Sequence, residues 1–452
     1  MKTLEQIAAE LQGYDPQALD ADTVNRFLAA LGEPLTETEE VETFQALGRV
    51  LAQDLVSPIS VPPHDNSAMD GYAFDGAQLD SGHALTLQIV GTALAGAAWQ
   101  GTVTAGQCVR IMTGAIMPAG LDTVVPQEFV TVSPPLPGTR VASITLPAGV
   151  VHAGDNRRQL GEDLLQGRPA LSKGERITPA ALGLVASLGI QSVAVLRHLR
   201  VAYFSTGDEI LSLGEAPREG AVYDSNRCTV FGLLTRLGCQ VIDLGVVSDD
   251  PARLEAALTR AALQADVIIT SGGVSVGEAD YTKSVMKKLG DVAFWKIAMR
   301  PGRPMAVGQI FRNKLALSAY PESDDSSFSS SKLDSSAVLF GLPGNPVAVM
   351  VTFLAFVRPA LLRLMGCTRA DAPMLQAQST EPIRKKKGRT EYQRGIVSTC
   401  ATGHLQVRTT GNQGSGVLSS MVQANGLILL HHDQASVAIG DMVSVMMFDG
   451  FV

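Results

Sequence analysis

The segment DVIITSGGVSVGEADYTK, residues 266–283 of a 452-residue chain, carries the reading that decides the fold. Val267, Ile268 and Ile269 form a continuous apolar run with β-branched bias, the pattern of a strand buried on both faces in a parallel sheet. A loop of small residues follows at once, with Ser271, Gly272, Gly273, Ser275 and Gly277, whose backbone can take positive φ and offer N–H and hydroxyl donors. Asp280 then stands where a helix cap belongs, and Tyr281, Val285 and Leu289 recur every four residues. A strand, a glycine loop and a helix N-terminus make a seat for an anion, since unpaired N–H groups and the helix dipole converge there. The loop matches neither GxGxxG nor the P-loop pattern, so a dinucleotide fold or an ordinary NTPase is not indicated. On its own it also suits a plain βα turn, and its neighbours decide the matter.

Outward from this stretch, strand and helix alternate. A strand over 201–204 runs into STGDE, a helix over 226–237 follows a cap at Asp224 or Ser225, and a strand over 239–244 leads to VSDDP. Asp250 and Pro251 pair as N-cap and first helical residue of the next helix. Such alternation predicts a parallel sheet with helices on both faces, and ligands of such sheets sit at the carboxyl ends of the strands. That rule gathers Thr206, Gly207, Asp208, Glu209, Asp249, Asp250 and the 271–280 loop, with GLPGNP, including Pro343 and Asn345, ahead of a long apolar helix. Carboxylates beside a phosphate seat suggest Mg²⁺, a hard ion that takes oxygen ligands. Lys296, Arg300 and Arg303 put three cations at a strand end of an acidic protein, as anion clamps would.

The flanks read differently. Residues 1–55 read as helical, with Thr36 and Glu39 spaced as a capping box before Val41, Phe44, Leu47 and Leu51. From Ser57 to Val151, short β-like runs among glycines and prolines predict a small β domain, with unusual clusters at PPHDNSAMDGYA (62–73) and RIMTGAIMPAGLDTVVPQE (110–128). A third polar loop spans 155–164, and a helix over 177–188 makes the helical domain discontinuous. The serine-rich stretch 318–336 reads as a low-complexity insert, and β-like runs return from Asp371 to the end as a small barrel or sandwich. Hydrophobic content of 46%, charged content of 18% and a net charge of −8 describe a globular chain and argue against broad binding to nucleic acid or anionic membrane. Five widely spaced cysteines without CxxC fit reduced, buried, structural thiols and a cytoplasmic setting, and neither a signal peptide nor a membrane span is read.

In order along the chain stand DNSAMDGYA, MTG before VVPQE, GED, FSTGDE, YDSNR, DDP, SGGVSVGEADYT, FWKIAMRPGRP, GLPGNPV, EYQRG and GNQGS. This ordered set resembles the MoeA family of molybdopterin molybdenumtransferases, which includes the E domain of gephyrin, from about Ala46 to the C-terminus. The resemblance implies a multidomain α/β plus β fold in four parts: a discontinuous helical domain (1–56 and 152–197), a β domain (57–151), a MogA-like three-layer α/β domain (198–370) and a C-terminal β-barrel (371–452). It implies a transferase of molybdenum cofactor biosynthesis that inserts molybdate into adenylylated molybdopterin and releases AMP, with Mg²⁺, as a homodimer whose upstream partner is an adenylyltransferase. An adenylyltransferase acting on molybdopterin and a non-catalytic pterin-binding scaffold are the alternatives. Carried over by motif, Asp70, Thr113, Asp163, Glu209, Asp249, Asp280, Lys296, Arg300, Arg394 and Ser415 are its catalytic candidates, with Glu209, Asp249 and Asp280 as metal candidates. Thr206, Gly207, Asp208, Ser271, Gly272, Gly273, Ser275, Gly277, Arg303, Pro343 and Asn345 are expected to bind substrate. The first 35 or so residues match no family motif.

Overall fold

The computed structural model describes residues 2–11, 13–80, 82–135, 141–273, 280–312 and 336–448, the side chain of Asp280 excepted. Ser275, Gly277 and all of the serine-rich stretch except Ser336 therefore lie outside the described residues. The chain divides into two compact units, one of residues 1–52, 174–179 and 192–452, the other of residues 53–173 and 180–191.

The larger unit is built on a six-stranded sheet of β1 (Arg200–Thr206), β2 (Gln240–Val247), β3 (Val267–Ser271), β4 (Gly290–Lys296), β5 (Pro304–Phe311) and β6 (Ser336–Leu342), in spatial order β2-β1-β3-β6-β5-β4. The first four strands in that order pair in parallel, as the alternation predicts. The β5 and β4 pairings are antiparallel, so the sheet is mixed and the expectation of a wholly parallel one fails at this edge. The reason is length: only residues 297–303 separate β4 from β5, too few for a crossover helix.

Alternate residues of each strand serve opposite faces. Val201, Tyr203, Val267, Ile269, Val338 and Phe340 pack with α1 (Ser225–Leu237) and the long apolar helix Pro346–Leu364, while Ala202, Phe204, Ile268 and Leu339 pack with α2 (Pro251–Gln264) and α3 (Asp280–Leu289). The result is a three-layer α/β/α core. Asp224 and Asp250 cap α1 and α2 as read, accepting from the backbone N–H of Arg227 and Arg253. Helix Pro346–Leu364 is long and apolar enough to cross a membrane by length and composition, but here it is buried in the core. Its middle, Phe353–Val357, is a π turn just ahead of Pro359, which has no N–H to give the turn before it.

The N-terminal residues, silent in the sequence, cover the other edge of this core. Phe27 meets the Trp295 ring edge-on at 4.9 Å, and the Trp295 indole N–H donates to the Tyr14 hydroxyl at 3.0 Å. The helix read over 36–51 does not form. Thr38–Glu42 is a strand antiparallel to Ser192–Leu196, followed by a 3-10 turn at Thr43–Gln45. The apolar spacing misled because Phe44, a supposed core position, is 91% exposed. A closed five-stranded barrel completes the unit, with Thr390–Thr399, Leu405–Thr409, Met374–Ser379, Met442–Met447 and Gly426–Leu430 pairing round to Thr390–Thr399 again. Of the five cysteines, all free, Cys228 is exposed rather than buried.

The second unit is a β domain whose six-stranded sheet runs in the order Thr123–Pro126, Gly71–Phe74, Gln107–Ile111, Leu85–Ala93, Ser143–Leu146, Thr131–Ser133. Tyr72 and Phe74 enter one buried cluster and Ala73 the other, so the period of two again sets the layers. Phe340, fully buried between sheet and helices, is a direct probe of the larger core. Phe340→Ala is expected to cost about 3–5 kcal/mol in denaturant unfolding, and a loss below about 1 kcal/mol would contradict this packing.

Candidate functional site

The strand order places the switch in chain direction between β1 and β3, and the loops that leave their carboxyl ends border a cavity of about 530 Å³. After β1 come Thr206, Gly207 and Glu209; after β2, Asp249; after β3, Gly272 and Gly273; after β6, Pro343 and Asn345. Arg300 and Arg303, from the turn joining β4 to β5, and Ser415 close the wall. Eleven of the residues picked from the sequence thus share one cavity.

Local geometry explains the residue types. Gly272 holds φ +89°, and a Cβ there would run into the Thr206 carbonyl oxygen, so the close approach of the two strand ends needs glycine. The Gly272 N–H donates to Leu342 O at 3.2 Å, tying the loop to β6. Asp208 lies outside the lining; its carboxylate accepts the Asp249 N–H at 3.1 Å and fixes the turn that presents Asp249. Ser271 is also set back, hydrogen-bonded in the floor to Tyr203 at 2.7 Å. Lys296 ends β4, with its N–H donated to Pro16 O, and does not line the cavity. Asn345 stands at the N-cap of helix Pro346–Leu364 but makes no side-chain capping bond, which leaves its amide for the cavity.

Arg394, a catalytic candidate by motif, is not among the residues that line the cavity. It is 1% exposed, donating to Ser420 Oγ at 2.9 Å and to the carbonyls of Asn412 and Gly414 at 3.1 and 2.9 Å. Burial, with Arg300 nearby, pushes its guanidinium down to about 10. Arg394 therefore shapes the GNQGS loop that carries Gln413 and Ser415. Gln413 lines the cavity beside it, locked by bonds to both the N–H and the carbonyl of Arg394.

Sequence reasoning passed over Gln413, Tyr281 and Thr282, although each lies inside a quoted motif. Tyr281 and Asp249 line the same cavity, and burial followed by the Asp249 and Asp208 charges raises the Tyr281 phenol. Asn226, also missed, donates to Gly344 O at 2.7 Å and holds the GLPGNP turn. Of the metal candidates, Glu209 and Asp249 line the cavity, and the side chain of Asp280 is outside the described residues. Among the described residues no group of three or more His, Cys, Asp or Glu is arranged to hold a metal ion.

Asp70, Thr113 and Asp163 belong to the second unit. There Gly71 faces Ile111 in an antiparallel pair, so the start of one strand meets the end of the other. Asp70 accepts both the N–H and the hydroxyl of Thr113 at 2.7 Å, across 43 residues of sequence. Asp65 accepts the Leu160 N–H at 2.8 Å and draws the 155–164 loop to the same place, where Asp163 donates its N–H to Val61 O at 3.0 Å.

The sheet and the strand-end cavity define an α/β domain with a ligand site at its topological switch point, and the comparisons say which family of such domains it is. Three family models match in order: MoeA N-terminal region (domain I and II) at 19–189, probable molybdopterin binding domain at 202–363, and MoeA C-terminal region (domain IV) at 376–448. A molybdopterin molybdenumtransferase of Haemophilus influenzae is 40% identical over 415 residues, covering 92% of this chain and 95% of its own. Gephyrin of Dictyostelium discoideum is 30% identical over 91% of the chain and 59% of its own length. A solved structure of a molybdopterin biosynthesis MoeA protein from Pyrococcus horikoshii aligns over 96% of this chain and all of its own, at 27% identity and a TM-score of 0.68. The chain belongs to the MoeA family, whose work is molybdenum cofactor biosynthesis.

The Thr113 bonds, backbone first and hydroxyl second, hold the Asp70 carboxyl below the usual carboxylate range. A carboxyl depressed in the fold contributes above its unfolded pKa and loses that contribution as pH falls through the folded value. Thr113→Val removes one donor and is expected to move the Asp70 titration, followed by carbon NMR, upward toward ordinary aspartate. An unmoved titration would show that the hydroxyl does not stabilise the anion.

Proposed function

We infer that this chain is a transferase that inserts molybdate into the dithiolene of adenylylated molybdopterin and releases AMP. The observation that carries the reading is the strand-end cavity, where a small-residue seat, two carboxylates and two arginines face one space. The glycine turn at Gly272 and Gly273, with no side chain to bar close approach, suits a phosphate of the adenylylated pterin, and Arg300 and Arg303 suit molybdate, an oxyanion of two negative charges, through charge-assisted bonds. Asn345 and Ser415 offer neutral donors for the remaining oxygens, and the buried Arg394 keeps the Ser415 loop in position. Neither cysteine nor histidine lines the cavity among the described residues, which fits recognition of an oxyanion better than a tightly held metal centre.

Glu209 and Asp249 fit Mg²⁺, an ion that takes one or two carboxylates and completes its shell with water and substrate phosphate. Mg²⁺ would neutralise charge on the phosphoanhydride whose cleavage frees AMP. Asp208, which accepts the Asp249 N–H, presents Asp249 for that task. We further propose a cytoplasmic homodimer fed by an adenylyltransferase, in which the Asp70–Thr113 pair and Asp163 of one subunit serve the cavity of the other. The unusual exposed hydrogen-bonded pairing of Asp70 with Thr113 supports a role in the reaction beyond a turn. The four-part domain division, with breaks near residues 57, 152, 198 and 371, belongs to the same proposal.

The test is turnover with purified protein, adenylylated molybdopterin, Mg²⁺ and molybdate, reading AMP release and reconstitution of an apo-molybdoenzyme. AMP and active cofactor are expected only when molybdate is present, and intact adenylylated pterin after binding would sink the reading in favour of a carrier. Arg300→Gln is expected to lower turnover about 10²–10³-fold with the fold intact. Arg394→Gln is expected to act through the Ser415 loop, raising KM and lowering stability together, and a normal KM would refute its positioning role.

A further inference from the structure

A second cavity, of about 480 Å³, lies in the larger unit, and its lining includes the apolar Met350, Phe353 and Phe448 together with Arg176, Arg236 and Arg358. No carboxylate is found among the described residues that line it. Arg176 is committed, donating to Gly48 O at 3.1 Å and to Leu237 O, the last carbonyl of α1, at 3.2 Å. Arg358 is different. It is half-buried and has no hydrogen bond or ion pair among the described residues; burial, then the neighbouring Arg176, pushes its guanidinium down. A guanidinium withdrawn from water without a counter-charge is costly, and a well-placed anion removes that cost.

We propose that this cavity is a binding site for a small anion with an apolar body, its charged end on Arg358 and Arg236 and its body against Met350, Phe353 and Phe448. The volume falls within the roughly 300–1,000 Å³ of small-molecule sites. The methionines Met350, Met446 and Met447 give that wall the adaptability of unbranched thioethers. One helix joins this site to the strand-end cavity. Asn345 and Ala348, at the start of Pro346–Leu364, line the first cavity, and Met350, Phe353, Leu354 and Arg358 line the second, across the π turn. The site is separate from the molybdate chemistry, so its test does not depend on turnover.

The probe is 1-naphthoate, titrated calorimetrically into the full chain beside its neutral amide, 1-naphthamide. The site predicts saturable binding of naphthoate, at least tenfold weaker binding of the amide, and a loss of about ten- to a hundredfold in naphthoate affinity for Arg358→Gln. Arg236→Gln, at an exposed position, is the second variant and keeps the test sound if Arg358→Gln fails to fold, as circular dichroism and melting will show. Equal binding of acid and amide overturns the proposal, as does naphthoate affinity unchanged in both variants. Binding that appears only after deletion of residues 449–452 also overturns it, by assigning the cavity to the chain's own end.

Discussion

The structure depends on the pairing of β1 with β3 and on the buried hydrogen bonds that pin their ends together. Tyr203 bonds Ser271 at 2.7 Å and Ser205 at 2.9 Å, three hydroxyls sharing a space from which water is excluded. Each unpaired hydroxyl there would carry a desolvation cost of about 1–3 kcal/mol, so the trio fixes the register as well as adding stability. Burial raises the Tyr203 phenol and keeps it a neutral donor. Immediately above this trio the two strands end, and Thr206, Gly207, Gly272 and Gly273 from their loops line the cavity. The position of the site follows from the topology, since β2 and β3 flank β1 on opposite sides.

Charge is then distributed around a fixed geometry. Acidic groups come from the loops after β1 and β2, the arginines from the turn between β4 and β5, and neutral donors from the GLPGNP and GNQGS turns. The short strand Met299–Arg300 pairs with Thr390–Glu391 of the barrel, so the arginine turn and the barrel share one frame. Val347 donates its N–H to Ser415 O at 3.1 Å, joining the first turn of the apolar helix to the barrel loop. The barrel thus shapes the cavity wall, a reason for a chain of this class to carry more than its α/β core.

Much of this was legible in the sequence, for identifiable reasons. The β-branched run at 267–269 and the caps at Asp224 and Asp250 are local signals, and local physics fixed them. The ordered motifs brought distant loops to one family pattern, and that pattern named most residues of the cavity. Long-range pairing was the harder part. Thr38–Glu42 is a strand because Ser192–Leu196 lies beside it, which apolar spacing at 41–51 cannot reveal. The antiparallel edge of the sheet depends on which strands neighbour β6, and the Trp295 contact depends on where the first helices dock. Arg394 was carried over by motif as a catalytic candidate, but its burial was invisible; Gln413 and Tyr281 sat in plain view inside motifs and were passed over because neither is charged. Cysteine burial was overgeneralised in the same way, Cys228 being exposed.

The central claim is that one strand-end cavity receives both the phosphate of the adenylylated pterin and molybdate. A crystal structure of the protein with AMP, molybdate and Mg²⁺ tests it most directly. The account predicts the AMP phosphate over Gly272 and Gly273, molybdate against Arg300 and Arg303, and any metal between Glu209 and Asp249. Molybdate bound at a distance from those arginines, with the phosphate outside the strand-end loops, would contradict it.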